Sequence, residues 1–348
     1  MSSVLEPLDE MPGTASQTNG AGSPGTRQNL GLSRLLRLVR PLDRYIYVPR
    51  LQLISRQILE NEQQTWSALV DYVKKNNVDC DLWVGDTLDV PVTPEVAEAT
   101  RRTFDRFKAA GGKVDHIKVT HDPIEAAAIS HIKDAQACYA WPASTLYPWK
   151  LTAHIMHDNL KKGVNLQTRT KVTQVTRSST SPTKWIVHSD RGDIECAQVV
   201  HATNAYSSAL EPSLRGLIYP SPHMCDRIVH PVASERSPAG LTNSYGVLLP
   251  NGALFSINPR RTAEGSILFG GSNPGQPEFQ KWVQDHPERC IDDSLLGFKS
   301  VTKAVREFAE SEIVGWKTEF NNDSWSGIIG GVSHQSVNVG HEKGLIHE

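Results

Sequence analysis

Between Pro148 and Tyr206 the chain passes through a helix and several short β segments, and then a strand that ends in small residues. Pro148 opens the helix, and Leu151, Ile155, Met156 and Leu160 supply its apolar positions. Gly163 closes it, since glycine takes a left-handed backbone without a Cβ penalty. Short β segments follow at Val164–Thr168, Lys171–Thr176, Trp185–Ser189 and Ile194–Cys196, with Asp190-Arg191-Gly192 turning between the last two. A return strand, Gln198–Ala202, then runs into Thr203-Asn204-Ala205-Tyr206. Helix, small antiparallel meander and return strand form an order with chemical meaning. Ligands of open α/β sheets lie at the carboxyl ends of strands. Ala202 leaves the main chain bare there, and Thr203 and Asn204 offer donors. A buried strand followed by a turn satisfies the same residues, so taken alone this segment leaves both readings open.

The flanks add further elements. A helix is expected from Leu51 to Lys75, with Trp66, Leu69, Val70 and Val73 on one face. Asp81 to Val92 alternates as a strand. Thr93-Pro94-Glu95 opens a helix that closes at Gly111-Gly112. A second set of strands, Tyr245–Leu249, Ala253–Ile257 and Ile267–Phe269, precedes a helix near Leu295–Ala309. Residues 11 to 33 read as loop, and the basic stretch Ser33–Arg44 reads as a packed helix rather than a membrane-surface one. With 348 residues the chain holds two domains, or one with a large insertion.

A formal net charge of −2 gives no field for nucleic acid or anionic membrane, leaving a small molecule as the expected partner. The oligomeric state is not legible. Five scattered cysteines without a CxxC pair argue against a disulfide framework or zinc site and favour a reducing compartment. No apolar run reaches bilayer length and the first residues carry no secretory pattern, so the cytoplasm is the default expectation. His154 and His157 share a helix face but lack a third ligand, so no metal is expected. No nucleophile-elbow pattern supports a hydrolytic triad.

Three blocks stand in order. They are Ala143-Ser144-Thr145-Leu146-Tyr147-Pro148-Trp149-Lys150, read as a loop entering a helix, then Gln167 to Val175, and the Ala202-Thr203-Asn204-Ala205-Tyr206 strand end. Together they resemble the FAD-dependent oxidoreductases that include D-amino-acid oxidase, glycine oxidase and sarcosine oxidase, with the gamma-glutamylputrescine oxidase-like members nearest. The likeness covers roughly residues 57 to 340. It implies an α/β fold: a Rossmann-like FAD-binding domain, here incomplete, with an α+β substrate domain built on an antiparallel sheet. Residues 1-75, 141-215 and 325-348 would form the FAD-binding domain, and 76-140 and 216-324 the substrate domain. By the same likeness, main chain at Val172 meets the adenine, and Ala202, Thr203 and Asn204 lie beside the diphosphate and ribityl chain. Glu6 stands where an acid binds the adenosine ribose; an acid in a polar tail is the equal alternative for it.

The resemblance implies oxidation of an amine or amino-acid C–N bond by hydride transfer to flavin, with no catalytic side chain that can be named. Three departures bear on it. No GxGxxG turn joins an expected strand to a helix; the one such string, Gly20-Ala21-Gly22-Ser23-Pro24-Gly25, falls in the 11 to 33 stretch read as loop. Pro220-Ser221-Pro222-His223-Met224 replaces a Pro-x-Arg-Gly-Gln pattern. Gly331 to Val339, after the Trp325-Ser326-Gly327-Ile328-Ile329-Gly330 block, lacks an Asp and a Pro. Whether the chain is a working enzyme is therefore open. The alternative expectation is a truncated, non-catalytic member that does not hold FAD tightly and acts, if at all, as a binding protein.

Overall fold

The computed structural model describes residues 3–5, 49–229, 240–262, 265–316, 321–332 and 345–347; the stretches 11–33 and 33–44 and the residue Glu6 lie outside these. In chain order the helices and strands are β1 (Ser3–Leu5), α1 (Pro49–Lys75), β2 (Trp83–Pro91), α2 (Pro94–Ala109), β3 (Lys118–Thr120), α3 (Pro123–Ser130) and β4 (Cys138–Thr145). Then follow α4 (Pro148–Lys161), β5 (Asn165–Gln167), β6 (Val172–Arg177), β7 (Trp185–Ser189), β8 (Gly192–Cys196), β9 (Val199–His201) and α5 (Ser207–Leu210). The last group is β10 (Ile218–Val229), β11 (Ser244–Leu248), β12 (Leu254–Pro259), β13 (Ile267–Gly270), α6 (Gln276–Asp285), α7 (Lys299–Glu312), β14 (Asn321–Val332) and β15 (Leu345–His347).

The expected helix signals are realised. Thr93 Oγ1 accepts a hydrogen bond from Val96 N at 3.3 Å, capping α2, and Gly111 beyond its end has φ +80°. Gly163 follows α4 with φ +89°. On α1, Val70 and Val73 are buried, and Val73 packs with Cys80, Leu146 and Leu151.

One eight-stranded sheet carries the larger core, in the order β14-β10-β13-β12-β11-β2-β4-β3. It is antiparallel except at β11–β2, which run parallel. Alternation along the strands sorts its two faces. Leu88, Tyr245, Ile257 and Phe269 are cross-strand neighbours on one face, under Val305, Phe308 and Ala309 of α7 and Ala126 of α3. Phe255 stacks on Phe308 with ring centroids 4.2 Å apart. On the opposite face Tyr139, Asp89, Gly246, Ser256 and Gly270 form one row across five strands, with Leu248, Leu254 and Leu268 buried on the same side. Gln276 of α6 clips to the middle of β10, its Nε2 donating to Met224 O at 2.6 Å and its Oε1 accepting from Met224 N at 3.4 Å.

Beside this sheet lie two parallel pairs, β1 with β5 and β15 with β9, and the antiparallel meander β6-β7-β8. Two expectations are corrected. The segment near Val164–Thr168 is not part of the meander, because β5 pairs in parallel with β1. Ala143 to Thr145 is the end of β4, not a loop. The sequence reading also passed over β4 and β10, each of which contains proline. Pro142 sits where β4 has β2 on one side, and Pro220 and Pro222 sit where β10 pairs with β14 but not with β13. A proline at such one-sided positions costs no ladder bond.

Gly271, one residue past β13, lies close against the main chain of β12. Its φ is +81°, and a Cβ there would overlap Leu254 O and lie 2.8 Å from Ser256 N. Gly271→Ala is expected to destabilise the fold by about 2 kcal/mol from left-handed strain and overlap together. Urea unfolding of the variant against the parent chain measures this.

Candidate cofactor segment and polar cleft

The segment expected beside a dinucleotide begins where β9 ends. His201 is buried, while Ala202 is exposed with its small side chain, leaving the main chain accessible. Thr203 and Asn204 turn the chain into a 3-10 turn, Asn204–Tyr206, and then α5. Their side chains are engaged within the protein. Thr203 Oγ1 and Ser207 Oγ share a hydrogen bond of 3.1 Å. Asn204 has φ +49°, its Oδ1 accepts from Gly330 N at 3.1 Å, and its Nδ2 donates to Ile328 O at 3.4 Å. Gly330 is needed for this latch, because a Cβ there would sit 2.5 Å from Asn204 Oδ1. The Trp325–Gly330 block thus lies on β14 and holds the turn after β9. Val172 opens β6, at a register shift against β7, and α5 packs on β6. The structure therefore brings the strand of Val172 against the helix that follows Asn204. β1 ends at Leu5, immediately before Glu6.

A second constellation was missed in the sequence. Asp81 has φ +53° and stands just before β2. Its Oδ1 accepts from Lys150 Nζ of α4 at 2.8 Å, and its Oδ2 accepts from Arg260 Nη2, past the end of β12, at 3.2 Å. Its main-chain oxygen accepts from Thr262 Oγ1 at 2.6 Å. The bond to Asp81 raises the Lys150 pKa, since it favours the charged ammonium. The Arg260 guanidinium also lies 5.1 Å from the Tyr147 ring centroid, a cation–π distance. A cleft of about 250 Å³, counting its open mouth, lies between these groups; Asp81, Thr145, Asn258, Arg260 and Thr262 line it, with Leu146 and Leu268 as apolar walls.

On that same face, Asp89 of β2 is fully buried, and neither carboxylate oxygen has a hydrogen-bond partner among the described residues. Burial pushes its pKa well above the ordinary carboxylate range. Burial likewise pushes the Cys138 thiol and the Tyr245 phenol up to about 12, with Asp89 adding to the former. His154 Nε2 faces Asp158 at 3.5 Å, and among the described residues no group of three metal-ligating side chains occurs. Among the described helices none is long and apolar enough to cross a membrane.

This fold, with two parallel pairs, a meander and a large mixed sheet, is shared by known proteins. The sequence matches the family described as "FAD dependent oxidoreductase" over residues 5–347, and the chain belongs to that family. Glycine oxidase from Geobacillus kaustophilus superposes with a TM-score of 0.61 at 18% identity, covering 83% of this chain and 72% of that one. L-proline dehydrogenase from P. horikoshii gives a TM-score of 0.62 at 14% identity, over 99% and 81% of the two chains. L-amino acid deaminase from Proteus vulgaris gives 0.60 at 13%, over 83% and 75%. No curated protein matches the sequence.

FAD is the cofactor that membership implies. The residues present fit a group received through main chain: Ala202 is exposed and small at the end of a parallel strand. The side chains of Thr203 and Asn204 are already bonded inside the protein, so only their main chain remains for that role.

Proposed function

We propose that this chain is a flavoprotein that oxidises the C–N bond of an amine or amino acid. The observation that carries the reading is the match to the FAD dependent oxidoreductase family over residues 5–347. In this reading main chain at Val172 and at Ala202, Thr203 and Asn204 holds the dinucleotide, and Glu6 directly after β1 binds its ribose. Bound flavin supplies the hydride acceptor, while the protein orients the substrate carbon and keeps water out. Residues 1-75, 141-215 and 325-348 form the cofactor part and 76-140 and 216-324 the substrate part. β14 crosses the boundary between them and latches Asn204. Five unbridged cysteines favour a reducing compartment, the cytoplasm.

A second reading, a family member that does not hold FAD tightly, is favoured by the internally bonded side chains of Thr203 and Asn204. Each charge-assisted bond to a phosphate that such side chains would otherwise give is worth roughly 1.5–3 kcal/mol. Titration with FAD, followed by flavin absorbance and fluorescence quenching, separates the two. The first reading expects saturable binding, weakened at least roughly tenfold by Ala202→Leu, about 1.4 kcal/mol, because a large side chain there blocks the main chain. Protein that stays colourless in excess FAD supports the second.

A further inference from the structure

We propose that the cleft between Asp81, Thr145, Asn258, Arg260 and Thr262 binds one ordered water molecule, which ties β12 to the junction of β4 and α4. Asn258 is 2% exposed, and its Oδ1 has no hydrogen-bond partner among the described residues, although its Nδ2 donates to Ser256 Oγ at 3.3 Å. A buried amide oxygen requires a donor, and the cleft that Asn258 lines is where that donor has room.

The surrounding charges decide what the donor is. An anion would meet the Asn258 oxygen and the Asp81 carboxylate. A cation would meet the Arg260 guanidinium, itself 14% exposed and already held 3.2 Å from Asp81, with Lys150 on the other Asp81 oxygen. A neutral molecule that both donates and accepts avoids both conflicts. The interior of the cleft has room for about one water molecule, and a buried water needs 2–4 polar partners. Asn258 Oδ1 and the hydroxyls of Thr145 and Thr262 supply them from segments far apart in the chain. Such a bridge adds to the direct bonds of Asp81 in holding the β12–β13 hairpin against the start of α4, and makes Asn258 a positioning residue of that seam.

The test is a crystal structure at near-atomic resolution, with oxygen-17 relaxation dispersion to count long-lived waters in the full chain and in Asn258→Leu and Thr145→Val. A water peak within hydrogen-bond reach of Asn258 Oδ1 and a threonine hydroxyl is expected, and each variant should lose one long-lived water. Hydrogen exchange in the β12–β13 hairpin should quicken in both. A dry cleft, a different occupant, an Asn258 amide bonded to a protein group, or an unchanged count in the variants would overturn the proposal. Thr145→Val, which changes little volume, decides the matter if Asn258→Leu does not fold.

Discussion

Asp81→Ala is expected to lower the thermal midpoint by roughly 5–10 °C, the larger part of it from Arg260. Removing one member of a fully buried ion pair costs about 3–5 kcal/mol, and an exposed pair is worth about 0–1 kcal/mol. Asp81 and Arg260 side chains are 16% and 14% exposed, between those limits, so the loss of their contact at 3.2 Å should cost about 2–3 kcal/mol. The backbone adds to this, because Asp81 holds φ +53°, a region that aspartate and asparagine tolerate better than alanine. Asp81→Asn keeps the shape and the left-handed tolerance and removes the charge, so it should fall between the parent and the alanine variant. Lys150→Met should matter less, since Lys150 is 37% exposed and its ammonium can be replaced by solvent. Thermal melts of the three variants at low and moderate salt check the order. If Asp81→Ala melts within about 2 °C of the parent, the network does not hold the seam.

The elements that could be read from the sequence were those with local punctuation. Thr93-Pro94 and Gly111 bracket α2, and Pro148 and Gly163 bracket α4, because caps and left-handed glycines act within a few residues. The strand end at Ala202 was visible for the same reason. Pairing was not visible, since it depends on which distant segment arrives alongside. β5 looked like part of a meander by proximity, yet it pairs with β1, some 160 residues away by the register Ser3 with Asn165. Prolines hid β4 and β10, because a proline is excluded only from positions with neighbours on both sides, and sequence does not reveal which positions those are. Asp81 and Arg260 are 179 residues apart, so their pairing left no trace in spacing. Asp89 did leave a signal. A charged residue between Leu88 and Val90, in a strand followed by more apolar positions, is out of place on a solvated face and could have been singled out.

Asp89→Asn is expected to make the protein more stable at pH 8 and to remove the share of the parent's pH dependence that Asp89 contributes. The parent Asp89 has no hydrogen-bond partner on either oxygen among the described residues, and burial raises its pKa well above the ordinary range near 3.8. The folded chain therefore keeps a proton that the unfolded chain releases. Stability from this group is fully present below the unfolded value and is lost as pH rises through the folded one, at about 1.4 kcal/mol per pH unit within that window. Two units inside the window amount to roughly 2–3 kcal/mol. Neighbouring buried groups do not blur the slope: Cys138 and Tyr245, both pushed up to about 12, stay neutral throughout. His116 acts in the opposite sense, because burial lowers its pKa and its stability is lost as pH falls below the ordinary histidine range. It is present in both chains and cancels in their difference. Urea unfolding of parent and Asp89→Asn at pH 5, 6, 7 and 8 should thus give curves that diverge steadily as pH rises. Parallel curves would mean that Asp89 finds a partner or solvent in the folded chain, and that its face of the sheet is not dry at its centre.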